Sequence, residues 1–491
     1  MQPVVQAVLL SWSIPPAATF TLALTALMYL RGSWLLRRAG YPNLPAWRIA
    51  SFMLGLSVLW FALASPLDTF SSFVLTAHML QHMLLMMVAP PLLLLGEPLI
   101  PILRGMPRFA AREFAGPFLN WRIAKRVGLL LTHPVTALVL MGTVMFVWHV
   151  PEPYELAVRS GAWHQFEHGC FFFASIIFWW PVVQPWPSRT QWPRWAMVPY
   201  LVIADLQNTA LSAVLVFSDR LLYPSYGAGP SLFGFPAQED QAASGAIMWV
   251  VGSLAFLVPA ALITIRSLSR RQAAVLIDRS VSQNTVDVGG LEMPAKSGPV
   301  GIRFKSKTLE AVSFVALFVA VSVGFILLAR TAPDDDDQVF RGSQNAGPFL
   351  VALYGPEGKV PLGPSTFAIL VQDGSNHTIL LNSEVRLSLR GSGEAAAPAK
   401  SVAAPVGDEN KLLFTADIDV EAVGRSTLAV AVNHDSGRAT ASFPIDTVKP
   451  EAERSLPWPY IVMPVIAFVL AAAYLFRHRT GRPASVPTLT S

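Results

Sequence analysis

Apolar stretches of helix length recur along most of this chain and are separated by short polar segments. They predict nine membrane-spanning helices near residues 14–36, 48–65, 71–95, 127–148, 163–184, 197–217, 242–265, 308–330 and 457–476. A helix needs about 20 mostly apolar residues to cross the hydrocarbon core of a bilayer, and these stretches approach that length. The chain is therefore predicted to be an all-α polytopic membrane protein over most of its length.

A different pattern occupies residues 331–456, between the last two apolar stretches. Short runs alternate between hydrophobic and polar residues at 349–354, 366–371, 385–389, 411–418 and 427–432, with Gly, Asp and Asn between them. Alternation of period two with frequent turn residues is typical of a small all-β sandwich.

Together these patterns predict five segments. They are a seven-span membrane domain (1–266), a polar cytoplasmic linker (267–307), an eighth span (308–330), an extracytoplasmic β-sandwich domain (331–456), and a ninth span with a cytoplasmic tail (457–491).

The distribution of charge orients this arrangement in the membrane. Only 14% of the 491 residues are charged, compared with about 25% in a typical soluble protein. The loops after the second, fourth and sixth spans contain no Lys or Arg other than Arg159 and Arg220, whereas the opposite loops and the tail are rich in both. The positive-inside rule then places the N-terminus outside and the C-terminus in the cytoplasm. Topology accounts for the net charge of +5, so no nucleic-acid partner is predicted.

The third span carries the residues of greatest chemical interest. His78 and His82 are one helical turn apart and share a face, and Met86 continues the same row. Met79 and Met83 form the adjacent row. Ionisable residues are costly within a bilayer, so they face the bundle interior and indicate a functional site.

Three more histidines are predicted to lie in the same outer part of the membrane. His149 ends the fourth span, and the fifth span begins with His164, Glu167 and His168. His133 lies at the cytoplasmic start of the fourth span and is therefore excluded.

Imidazole and thioether groups without thiolates favour copper, or haem iron held by paired histidines. The single cysteine, Cys170, excludes a cysteine-rich metal site and an internal disulfide. Glu167, Asp205 and Asp240 are candidates for accepting hydrogen bonds from the imidazoles and so orienting them toward the metal. The alternative is structural: each histidine pair then forms packing hydrogen bonds, and the methionines fill the core.

Several motifs resemble one known family. They are HMLQHMLL at 78–85, APPLLLLGEP at 89–98, WHVPEPYE at 148–155, HQFEH at 164–168, FWWP at 178–181, LYPSY at 222–226 and EDQ at 239–241. In order and content they resemble the CtaG family of cytochrome c oxidase assembly factors, the multi-span type associated with caa-type oxidases, over about residues 12–270. In the later β domain, GPEG at 355–358, VQDG at 371–374 and ASFPI at 441–445 loosely resemble YtkA/FixH-like domains.

The resemblance implies a bacterial plasma-membrane protein that is not an enzyme and that acts in copper delivery to haem–copper oxidase. Its family histidine motifs fall on His78, His82, His149, His164 and His168. The implied partners are oxidase subunits or their copper chaperones, besides membrane lipid. Two alternatives remain: a bis-histidine haem protein with a redox role and, ranked lower, a copper transporter.

Overall fold

The computed structural model describes residues 2–40, 44–115, 121–185, 192–229, 235–284, 338–356, 358–391, 401–408 and 410–448. It confirms a helical membrane domain followed by a β domain. The predicted eighth and ninth spans and the cytoplasmic tail lie outside the described residues.

The helices of the membrane domain are α1 (Gln2–Leu10), α2 (Pro16–Arg38), α3 (Ala46–Ala64), α4 (Pro66–Ser71), α5 (Leu75–Leu95), α6 (Leu99–Gly105), α7 (Arg122–Leu131), α8 (Pro134–Trp148), α9 (Pro151–Arg159), α10 (Gly161–Val183), α11 (Met197–Phe217), α12 (Ser225–Ala228) and α13 (Ala237–Asn284). Short helical turns are also present at Arg108–Ala110, Ala111–Ala115 and Arg194–Ala196.

Five of these helices are individually long and apolar enough to cross a membrane: α3, α5, α10, α11 with its preceding turn, and α13. A sixth candidate is the pair α8 and α9, which is bent by 71°. Helix α2 has 23 residues and coincides with the first predicted span, but it is not among these candidates. Helix α13 continues through residues 267–284, at the start of the predicted linker.

Helix α5 contains a wider π turn at Leu84–Val88, just before Pro90 and Pro91. Proline has no backbone N–H, so neither residue can donate to the carbonyl of Met86 one turn earlier. Trp179 of α10 donates its indole N–H to that carbonyl instead, at 3.0 Å. A buried carbonyl without a partner costs about 1–3 kcal/mol, and this bond avoids that cost while it joins α5 to α10.

Two glycines allow α2 and α6 to touch along their backbones. A Cβ atom on Gly32 would lie 1.7 Å from the carbonyl oxygen of Pro101, and one on Gly105 would lie 1.8 Å from that of Met28. Small residues are the usual means by which membrane helices approach this closely.

Within the described residues, the β domain contains nine strands: β1 (Val339–Ala346), β2 (Phe349–Gly355), β3 (Val360–Pro361), β4 (Gly363–Asp373), β5 (Glu384–Gly391), β6 (Ser401–Ala404), β7 (Phe414–Val420), β8 (Gly424–His434) and β9 (Gly437–Val448). One sheet has the order β1-β2-β4-β7 and the other β3-β9-β8-β5-β6. Residues from both sheets, including Phe367, Leu387 and Leu428, form one buried core between them. This arrangement confirms the predicted sandwich.

The β domain rests on the membrane domain. Leu412 and Tyr354 pack with Phe70 of α4 and Ala7 of α1 in one apolar cluster. The backbone N–H of Lys411 also donates to the Ser11 hydroxyl at 2.9 Å. The β domain therefore covers the side of the membrane domain at which α5 begins.

Candidate metal centre

Helices α5 and α10 bring two histidine pairs together. The spacing of four residues places His78 and His82 on one face of α5, with ring centroids 4.3 Å apart. The same spacing on α10 places His164 and His168 at 4.1 Å. The pairs face each other, because the His78 and His164 rings are 5.0 Å apart and those of His82 and His168 are 5.3 Å apart.

Glu167 lies within this arrangement. One oxygen of its carboxylate is 3.6 Å from Nε2 of His78 and 3.9 Å from Nε2 of His82. One possible ligand atom from each of His78, His82, His164 and Glu167 lies within 4.8 Å of the others. We call these four residues the metal-ligand group. Glu167 thus lies among the candidate ligands, whereas the sequence predicted that it would orient the imidazoles.

The polar atoms around this point have no hydrogen-bond partner among the described residues. They are Nε2 of His78, His149 and His164, both ring nitrogens of His82 and His168, and both carboxylate oxygens of Glu167. Buried polar atoms are nearly always paired, because an unpaired one loses its bonds to water without replacement. So many unpaired atoms from three helices converging on one place fit a metal ion, to which imidazole nitrogens and a carboxylate are suitable ligands.

A tyrosine fixes the orientation of His78. The Tyr226 hydroxyl donates to the carbonyl of Ser71 at 2.7 Å and lies 3.2 Å from Nδ1 of His78. Since its one proton is used in that bond, its oxygen accepts from an Nδ1–H of His78. Nε2 of His78 then carries the lone pair that faces the metal-ligand group.

His149 lies at the edge of the cluster, in an equivalent tautomer. Its Nδ1 is 2.7 Å from the carbonyl oxygen of Met145, so Nδ1–H donates and Nε2 is free. Its ring is 6.3 Å from that of Phe171, which in turn lies 4.7 Å from the ring of His82. Hereafter the histidine cluster means the metal-ligand group together with His149 and His168.

The two other predicted carboxylates lie elsewhere and have partners. Asp240 accepts from the backbone N–H groups of Leu75 and Thr76 at 2.7 and 3.1 Å, and so caps the start of α5. Asp205 accepts from the Ser253 hydroxyl at 2.7 Å, which joins α11 to α13. Both therefore position helices, and neither belongs to the metal-ligand group.

The predicted methionine ligands are all buried along α5. Met79, Met83 and Met86 have exposed fractions of 0%, 2% and 1%. Tyr226 and Phe171 were not predicted as site residues. Tyr226 belongs to the LYPSY motif, and this motif is the sequence feature that could have identified it as a site residue.

Replacement of Tyr226 by phenylalanine is expected to weaken metal binding about tenfold, because residues that orient metal ligands typically contribute 10–100-fold to affinity. The change removes the hydroxyl, which is the acceptor for His78 and the donor to the Ser71 carbonyl, and keeps the ring. Metal titration of the purified protein against a competing chelator measures the effect.

Tyr200→Phe is the matched control for this prediction. Tyr200 is also buried and donates to a backbone carbonyl, that of Phe178, at 2.8 Å, but it does not contact the histidine cluster. An equal loss of affinity in both variants would contradict the role given to Tyr226.

The fold and site together define a polytopic membrane protein with a buried cluster of histidines and one carboxylate, on the side covered by a β domain. The family described as cytochrome c oxidase caa3 assembly factor matches residues 27–270. That part of the chain belongs to the CtaG family of oxidase assembly factors, which confirms the resemblance found in the motifs.

Curated relatives occur in mycobacteria. An uncharacterised protein of Mycobacterium bovis is 27% identical over 295 residues, covering 58% of this chain and 44% of the relative. An uncharacterised protein of Mycobacterium leprae is 28% identical over 251 residues, covering 50% of this chain and 38% of the relative. The chain thus spans less than half the length of either relative. No solved structure matches it.

Proposed function

We propose that this protein is a non-enzymatic membrane assembly factor for haem–copper cytochrome c oxidase, and that it binds copper at the histidine cluster. One observation carries the proposal: unpaired nitrogens of five histidines and both oxygens of Glu167 converge between three helices. The family assignment provides the biological context, because the oxidase that such factors assemble contains copper.

The chemistry of the ligands supports copper in particular. Imidazole suits copper, and the thioether groups of Met79, Met83 and Met86 on the same helix suit Cu(I). These methionines remain candidate ligands. The chain offers no cysteine pair that would form a thiolate site instead.

A cavity of about 1000 Å³ between the two domains supports access to the centre. Its walls include Thr76, Tyr226 and Asp240 from the membrane domain, and Phe340 and Tyr354 from the β domain. Because Tyr226 both lines this cavity and contacts His78, copper entering here would be separated from the centre by one side chain. We place the cavity and the N-terminus on the outer side of the membrane, and we propose that the β domain positions an oxidase subunit or its copper chaperone there.

Copper is favoured over haem by the spacing of the histidines. The ligand atoms of the metal-ligand group lie within 4.8 Å of one another. The rings of Tyr154 and Phe171 pack against those of His78 and His82, with centroids 5.1 and 4.7 Å apart. Paired axial ligands lie on opposite faces of a broad planar macrocycle, which these contacts do not accommodate.

Deletion of the gene tests the proposal. In the deletion strain the oxidase is expected to keep its haem but to lose copper, and excess copper in the medium should partly restore activity. Haem spectra and copper analysis of the isolated oxidase measure both. Normal copper content in that oxidase would contradict the proposal, and a Soret band in the purified assembly factor would favour the haem alternative.

A further inference from the structure

The metal-ligand group contains a single acidic residue. Glu167 has an exposed fraction of 0%, and its three companions in the group are histidines. An imidazole that binds a metal is neutral, so Glu167 supplies the one formal negative charge of this group.

The neighbouring carboxylates have their own partners and do not contribute. Asp240 accepts from the start of α5, and Asp205 accepts from Ser253. Glu155 forms an ion pair with Arg159 at 3.0 Å and accepts from the N–H of Ser225. Within the described residues, the groups in ion-pair range of Glu167 are the imidazoles of His78 and His82.

Charge balance in such a buried place discriminates between ions. A monovalent cation together with the Glu167 carboxylate makes a neutral centre, whereas a divalent cation leaves one uncompensated positive charge. An uncompensated charge is strongly disfavoured away from water, because the desolvation penalty is not repaid by a partner. The donor atoms alone do not discriminate in this way, since imidazole and carboxylate also suit Zn²⁺.

We propose that the metal-ligand group selects monovalent copper, Cu(I), over divalent ions, and that Glu167 determines this selectivity through its charge. The proposal rests on the copper role given above and specifies the form of the ion.

Two pairs of ions separate the effect of charge from other properties. Cu(I) and Zn(II) have the same filled d shell and differ in charge, and Ag(I) and Cd(II) form the same kind of pair. The purified full-length protein in detergent is loaded with each ion, Cu(I) under reducing conditions, and is then washed with a competing chelator. We expect Cu(I) and Ag(I) to be retained about tenfold or more above Zn(II) and Cd(II), because the divalent centre keeps a buried charge.

Variants of the group test the assignment to Glu167. Glu167→Gln removes the counter-charge while keeping the shape. It should lower the retention of Cu(I), because the monovalent ion then also leaves an uncompensated buried charge, and it should not allow Zn(II) to be retained in place of Cu(I). His164→Glu adds a second carboxylate, and it should reverse the preference toward Zn(II). Retention of Zn(II) by that variant also shows that it is folded. Glu152→Gln changes an exposed carboxylate on α9 and should leave the wild-type preference intact.

The outcomes separate this inference from the proposed function. Equal retention of Cu(I) and Zn(II) by the wild-type protein would overturn the selectivity and leave copper binding standing. A preference for Cu(I) that persists in His164→Glu would overturn the role of charge. Retention of none of the four ions would instead overturn the copper centre itself.

Discussion

Purified protein in which both His78 and His82 are replaced by alanine is expected to lose its bound copper, from about one ion per chain in the wild type to the background level. The double change removes two of the three imidazoles in the metal-ligand group. His164 and Glu167 remain, and two ligands from one helix do not enclose an ion as four ligands from two helices do. Elemental analysis of copper per polypeptide measures the loss.

His133→Ala is the control for general damage. His133 accepts from the N–H of Val135 at the start of α8, outside the metal-ligand group. Its replacement should lower the free energy of unfolding by about 1 kcal/mol, because a helix cap is lost, and should leave the copper content unchanged. Equal copper content in the wild type and the double variant would remove His78 and His82 from the list of ligands.

Gly32→Ala is expected to reduce thermal stability strongly, or to prevent accumulation of folded protein. The added methyl group would lie 1.7 Å from the carbonyl oxygen of Pro101. Overpacking usually costs about 1–3 kcal/mol, and here the obstacle is backbone, which cannot rotate away as a side chain can, so the upper end of that range or more is expected.

The melting temperature in detergent, with Ala23→Val as control, tests this second prediction. Ala23 lies on the same helix but is exposed, so its enlargement has space. The result that contradicts the prediction is a melting temperature of Gly32→Ala equal to that of the control.

The periodicity of the sequence was enough to predict part of the fold and part of the candidate site. Alternation of period two located β2, β4, β5 and β8, and the spacing of four residues placed each histidine pair on one helix face. Both patterns are local, because they follow from the repeat of one element.

The remaining features depend on contacts between distant segments. The bond from Trp179 to the Met86 carbonyl joins residues 93 positions apart, and the contact of Tyr226 with His78 joins residues 148 apart. The position of Glu167 relative to His78 also depends on how α5 packs against α10. No local repeat carries such information.

The contact between Lys411 and Ser11 has a consequence for synthesis of the chain. It joins residues 400 positions apart, so α1 leaves the ribosome long before its β-domain partner exists. Domains generally fold as they emerge, from the N-terminus onward. The membrane domain can thus assemble during translation with its histidine cluster uncovered, and the β domain closes over that side only after the 400 residues that separate Ser11 from Lys411 have been made.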